Sequence, residues 1–325
     1  MGIAGPSFSN KEILIELNNL EIGLDVSQIK IEDEDTEEKN LKDPKDIIYE
    51  SIISGIRLIV CEPSNEIIVG EAIERALNEK KVERKDLFIV TKLEIEEKED
   101  PEKALNDSLK RLKLTYVDLY LDHWPSCKNY NEPNKYKLIP IRETWQKMET
   151  LVDIRLTRSI GVSNYNIVNL LNILSICKIK PVVNEVEFHP YLFQKDLKQF
   201  CDLEKIKIFA YNPLSKGEYN NKKLNLQNKY EGYLEAPLNY LGDIYKQKRT
   251  TILINYHMAL HIIPILGIKI KGKSNLFLEK NKRDNTFLIP KINIDQKYIE
   301  ILCSFTENQF RLNDGSDIFG INIFA

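Results

Sequence analysis

From residue 45 onward, short apolar runs alternate with longer stretches in which apolar residues recur every three or four positions. The first pattern is that of buried strands and the second that of amphipathic helices. Strands are predicted over residues 56–61, 86–92, 116–121, 158–162, 181–186, 207–211 and 262–266. Between and after them, helices are predicted over 66–78, 101–112, 142–152, 167–176, 195–204 and 238–261, the last broken near Arg249. Pro101 suits the first turn of its helix, where its missing N–H costs nothing. With a first strand at 28–31, eight strands alternate with helices, which predicts a parallel (β/α)8 TIM barrel rather than a doubly wound sheet. Ahead of it, Ile13-Leu14-Ile15-Glu16-Leu17 and Leu20-Glu21-Ile22 alternate apolar and polar residues around Asn18-Asn19, which predicts a β-hairpin.

The whole chain, residues 1–325, is accordingly expected to be one domain. A hairpin at about 13–22 would close the bottom of a barrel at about 27–268, with C-terminal helices and a tail over 269–325. The acidic run at 32–39 and the Asn/Lys-rich segment at 217–223 read as solvated loops.

Composition narrows the class of function. Among 325 residues, 46 basic and 49 acidic side chains leave a net charge of -3. No basic excess marks a nucleic-acid or anionic-membrane surface, so neither partner is expected. No apolar run approaches the ~18 residues that span a bilayer, and the N-terminus lacks the basic and apolar regions of a secretory signal. The cysteines at 61, 127, 177, 201 and 303 are scattered and form no Cys-x-x-Cys pair, the pattern of reduced thiols in the cytoplasm. Each is read as a buried small hydrophobe. His257 and His261 stand four apart without a third ligand of suitable spacing, so capping or a surface role is preferred to zinc, and no metal is expected. His189 reads as structural.

In a parallel barrel the chemistry sits at the C-terminal ends of the strands. That rule selects residues 60–63, Lys92, His123 with Trp124, Ser163 with Asn164, Glu185, Tyr211 and the glycine- and lysine-rich segment 267–274.

Several strings at these places resemble the aldo-keto reductase family: Ser108-Leu109-Lys110-Arg111-Leu112, Tyr116-Val117-Asp118-Leu119-Tyr120, His123-Trp124-Pro125, and Trp145 with Met148-Glu149. Ser159-Ile160-Gly161-Val162-Ser163-Asn164-Tyr165, Val186-Glu187-Phe188-His189-Pro190-Tyr191-Leu192 and Tyr211-Asn212-Pro213-Leu214 extend the likeness, which runs in order from residue 86 to residue 214. The resemblance implies a (β/α)8 barrel that reduces small carbonyl compounds by hydride transfer from NADPH. It implies that Lys92 and His123 are catalytic and that Trp124 lines the substrate pocket. Ser163, Asn164 and Glu185 fall where the family holds the nicotinamide carboxamide, and Tyr211 falls where a ring stacks on nicotinamide. Glu185 replaces a glutamine there and, ionised, accepts hydrogen bonds without donating them.

Two family positions differ. Val60 stands in place of the aspartate that holds the lysine, and Pro63 lies nearest the position of the proton-donating tyrosine, in a segment two residues shorter than usual. Tyr49, upstream on a predicted helix, is a poor replacement. Lys92 is then left without an assigned partner unless Glu62 or Glu185 reaches it. At the clamp on the cofactor's 2′-phosphate, Gly267, Ile268 and Phe277 stand in place of the family residues. Lys269, Lys271 and Lys273 are near enough in sequence to supply charge, and Asn281 lies in a segment resembling the helix start that contacts adenine. Weakened NADP(H) binding and impaired reduction are expected. The alternatives are a catalytically inactive barrel (a pseudoenzyme that binds NADP(H) or another ligand without efficient turnover) and a protein-interaction scaffold that has kept only the fold.

Overall fold

A computed structural model describes residues 9–30, 43–125, 139–214, 235–269, 279–280, 287–288, 290–304 and 311. Eight parallel strands close into a barrel among them: β1 (Gly23–Lys30), β2 (Leu58–Val60), β3 (Phe88–Leu93), β4 (Val117–Asp122), β5 (Thr157–Ser163), β6 (Val183–Glu187), β7 (Lys207–Tyr211) and β8 (Ile263–Lys269). Gly23 of β1 pairs with Leu58 on one side and with Ile265 of β8 on the other, which completes the ring. Helices α2 (Pro44–Ile53), α3 (Glu66–Asn78), α4 (Pro101–Leu112), α5 (Ile141–Asp153), α6 (Ile167–Leu174), α7 (Lys195–Glu204), α8 (Glu235–Tyr245) and α9 (Arg249–Ala259) fill the crossovers. The fold expected from periodicity is therefore the fold observed. Strand β1 begins earlier than expected, so the barrel runs from residue 23 to residue 269.

Local chemistry sets the helix ends. The Asp100 side chain accepts from Lys103 N, Pro101 opens α4, and Lys113 ends it in the left-handed region at φ +57°. Ala104, Leu105, Leu109 and Leu112 form the buried stripe between. Gly70 lets α3 meet α4 backbone to backbone, because a Cβ there would stand 2.5 Å from Arg111 O and 2.8 Å from the Leu112 carbonyl carbon.

The expected hairpin is instead a helix, α1 (Asn10–Asn19). Ser9 and Glu12 form a reciprocal capping box at its start. Ile13 and Leu17, one turn apart, are completely buried among the barrel-interior residues Leu58, Phe88, Val182, Phe209, Ile263 and Ile265. Asn18-Asn19 ends the helix rather than turning a hairpin. Glu16 accepts from Arg158 Nη2 at 2.5 Å, and Arg158 also binds buried Asp118 at 2.7 Å. The bottom of the barrel is closed, as expected, but by a latched helix.

After the barrel, Glu279–Lys280 and Phe287–Leu288 pair as β9 and β10, antiparallel, so the segment resembling a helix start contains a short strand. Helix α10 (Gln296–Ser304) follows. Cys61 and Cys201 are buried, whereas Cys177 and Cys303 are only partly so, and Cys127 lies outside the described residues. No described helix is long and apolar enough to cross a membrane.

Candidate active site

The C-terminal ends of β3, β4, β5, β6 and β7 bring Lys92, His123, Ser163, Asn164, Glu185 and Tyr211 to one mouth. Lys92 is buried near the end of β3. Its Nζ lies 2.7 Å from Glu185 Oε1 of β6, across the barrel, and both side chains are nearly closed to solvent. Glu185 thus supplies the partner that the sequence left open. Asp25 of β1, which sequence reasoning missed, adds to the field on Lys92.

The register explains Asp25. It pairs laterally with Val60, so its carboxylate enters from the strand beside the one where the family keeps an aspartate. Gly23, two residues earlier, faces Leu58 and Ile265 inside the barrel, and the two-residue period of a strand puts Asp25 on that same face. Burial works to strip the Lys92 ammonium of its proton, but Glu185, Asp25 and Glu62 outweigh it. The pKa stands above the ordinary lysine value, so Lys92 keeps its charge.

On the far wall, Asn164 takes the left-handed conformation at φ +64°, which asparagine tolerates. Its Nδ2 donates to His123 O at 3.1 Å and to Ser163 Oγ at 3.3 Å, and its Oδ1 accepts from Tyr211 OH at 2.8 Å. Ser163 Oγ donates to Glu185 O at 3.1 Å. The net fixes the ends of β4, β5, β6 and β7 relative to one another. Burial, ahead of the Glu187 charge, pushes the Tyr211 hydroxyl well above the usual tyrosine pKa, so it is a poor acid. Trp124 is buried, its ring 5.7 Å from that of His123.

Val60 lies in the apolar interior. Tyr49 sits on α2 and donates its hydroxyl to Glu79, which keeps it from serving as a replacement donor. His189 is buried against Glu187 at 3.3 Å, in a structural setting. His257 is not at the surface: it is buried between Leu253 O at 2.7 Å and Phe188 O at 2.9 Å. Lys269 ends β8. Lys271, Lys273, Phe277 and Asn281 lie outside the described residues.

Glu185 Oε2 is a buried acceptor without a hydrogen-bond partner, at the place where the resemblance puts a carboxamide contact. A carboxamide N–H would satisfy it, and Ser163 and Asn164 provide neighbouring polar atoms.

The aldo/keto reductase family profile matches residues 62–282, more than half of the chain. The chain belongs to the aldo/keto reductase family. Among curated family members, it is 32% identical over 284 residues to 4-dihydromethyl-trisporate dehydrogenase of Mucor mucedo, a match covering 77% of this chain and 88% of that one. It is 38% identical over 187 residues to aldose reductase C of Dictyostelium discoideum, covering 51% of this chain. The chain spans little more than half of the two Dictyostelium relatives, 58% of aldose reductase C and 55% of aldose reductase B. Among solved structures, a Bombyx mori aldo-keto reductase in complex with NADP superposes with a TM-score of 0.74 at 26% identity, covering 91% of this chain and 92% of that one. The aldose reductase of Schistosoma japonicum gives 0.73 at 26%, covering 92% of both.

Proposed function

We propose that this aldo/keto reductase, acting as a single barrel domain, binds NADP(H) and reduces a small carbonyl compound, at a rate lowered by the loss of the family's tyrosine. The observation that carries the reading is the convergence of a charged Lys92, His123 and the Ser163–Asn164–Tyr211 net on one mouth. Bound there, NADPH would supply the hydride. Ser163, Asn164 and the open oxygen of Glu185 would hold its carboxamide, and Tyr211 would face its ring. Lys92 and His123 would act at the carbonyl oxygen, where negative charge develops as the hydride arrives.

Two features argue for modest performance. With Pro63 near the tyrosine position and Tyr211 a poor acid, the alkoxide lacks the family's proton donor. A missing general acid costs roughly 10² to 10⁴ in rate. Gly267 and Phe277 replace phosphate contacts, so NADP(H) affinity should fall by about one to two decades.

NADPH fluorescence titration followed by steady-state assay against aldehydes and ketones tests the reading. Micromolar or weaker binding is expected, with turnover well below the ~10 s⁻¹ typical of enzymes and abolished in Lys92→Ala and His123→Ala. Submicromolar binding would mean that the phosphate clamp has been rebuilt, with Lys269, Lys271 and Lys273 as its candidates. Ordinary turnover lost on either substitution would show a rearranged catalytic set. No binding at millimolar NADPH would overturn the reading in favour of a scaffold.

A further inference from the structure

The proposed reduction needs a proton at the carbonyl oxygen, and the tyrosine that would give it is absent. The described mouth holds one imidazole, His123, and it is fixed on several sides. Its backbone N donates to Leu93 O at 3.2 Å, and its carbonyl accepts from Asn164 Nδ2 at 3.1 Å. Its ring atom Nδ1 lies 3.1 Å from Glu94 Oε1 and 3.2 Å from Oε2. Glu94 directly follows β3, two residues after Lys92, so one strand end delivers both the ammonium and the carboxylate. Both members of the pair are largely shielded, with side-chain exposures of 16% for His123 and 26% for Glu94. His123 Nε2 has no hydrogen-bond partner among the described residues, and it is not a buried orphan.

We propose that Glu94 is a positioning residue: by accepting a hydrogen bond from Nδ1–H of His123, it presents Nε2 as the atom that protonates the carbonyl oxygen. The inference deepens the carbonyl-reductase reading and rests on it. The carbonyl carbon gains a hydride, with its two electrons, from NADPH, which becomes NADP⁺, and the C=O π pair moves onto oxygen. That oxygen takes the Nε2 proton of the imidazolium, leaving an alcohol and a neutral ring whose remaining N–H, on Nδ1, donates to Glu94. A solvent proton then restores the imidazolium. A carboxylate behind an imidazole both selects the tautomer and stabilises the cation.

The surrounding charges agree. Burial works to raise the Glu94 pKa, but the hydrogen bond with His123 and the charges of His123 and Lys92 hold it below the usual carboxylate value, so Glu94 stays ionised. Lys92 faces Glu185, Asp25 and Glu62, while Glu97 adds a further acidic side chain beside Glu94. Glu94 is thus an ionised acceptor held at hydrogen-bond distance from the His123 ring.

The test uses the full chain with ¹⁵N-labelled histidine, of which there are four. Ring-nitrogen NMR of the cofactor-free protein at pH 8 to 9 should show neutral His123 as the Nδ1–H tautomer. Glu94→Ala should move it toward the Nε2–H form, and Glu94→Asp should retain the native form in part. In the NADPH assay, Glu94→Gln should lower kcat at least tenfold, distort the acidic limb of the pH profile and leave NADPH affinity within twofold. An Nε2–H tautomer in the unmodified protein, or turnover by Glu94→Gln within twofold of it, overturns the proposal while the reductase reading stands. Failure to bind NADPH removes both. Binding without any turnover in the unmodified protein removes the proton-donor role, and the NMR result then decides the tautomer claim by itself.

Discussion

Lys92 shows how a single position depends on neighbours that are remote in sequence. Glu185 lies in the opposing wall at 2.7 Å, Asp25 on a strand that closes the ring, and the three carboxylates that include Glu62 keep the ammonium charged. Because the folded pKa is raised, this contribution to stability is complete below the unfolded lysine value of about 10.4 and is lost only as pH rises through the folded value. Removing one member of a buried pair leaves the other charge uncompensated, at a cost of roughly 3 to 5 kcal/mol. Lys92→Met should therefore lower the unfolding free energy at pH 7 by about that amount, and adding Glu185→Gln should recover at least half. Urea denaturation of both variants decides the point, and an additive double variant would show that the pair is not coupled. Lys92, His123, Ser163, Asn164, Glu185 and Tyr211 were legible in the sequence because each stands at or near a strand end within the stretch from residue 86 to residue 214 that resembles the family. Asp25 and Glu94 were not, because a lateral register of β1 and a ring-to-carboxylate contact between strand ends appear only once the barrel is closed.

At the scale of the element, the alternation rule succeeded where burial is two-sided and failed at the N-terminus. Helices α3, α4 and α7 and strand β7 occupy the predicted spans because apolar stripe, first-turn signal and breaker agree there. Residues 13–22 carry a mixed signal: their β-branched residues and asparagine pair fit a hairpin, while Ser9 and Glu12 at capping-box spacing and Ile13 with Leu17 fit a helix. The helix prevails because the open lower end of the barrel needs an apolar plug, and two side chains one turn apart fill it. Ile15, between them, is more than half exposed, as a helix requires and a buried hairpin face would not allow. Leu17→Ala should cost about 3 kcal/mol through lost contact and the cavity left behind. Because α1 lies at the end opposite the mouth, NADPH affinity should change by less than twofold. Chemical denaturation and cofactor titration of the same preparation check both halves, and a matched loss of affinity would mean that the plug is coupled to the site.

Across the whole molecule the two ends of the barrel divide the labour, with packing and the Asp118–Arg158–Glu16 latch below and ionisable side chains above. The division is incomplete at His257, which ties the outer helix α9 to the chain just beyond β6 through Phe188 O. Burial pushes this imidazole down to about 4, against the pull of the Leu253 and Phe188 carbonyls, so the folded protein holds it neutral at pH 7. In the unfolded chain a histidine titrates near 6.5. Between those values the unfolded state binds a proton that the folded state refuses, so the contribution is present above about pH 6.5 and is lost as pH falls toward 4. The full effect is of order 3 kcal/mol, with roughly 2 kcal/mol already gone at pH 5. His257→Gln keeps one amide donor for a carbonyl and has no proton to gain. Its unfolding free energy should start lower than that of the unmodified protein at pH 7 and fall less steeply to pH 5, so that the two urea-denaturation series converge. Parallel series would show that His257 takes up its proton in the folded state, and that the joint between α9 and the strand ends survives acid without it.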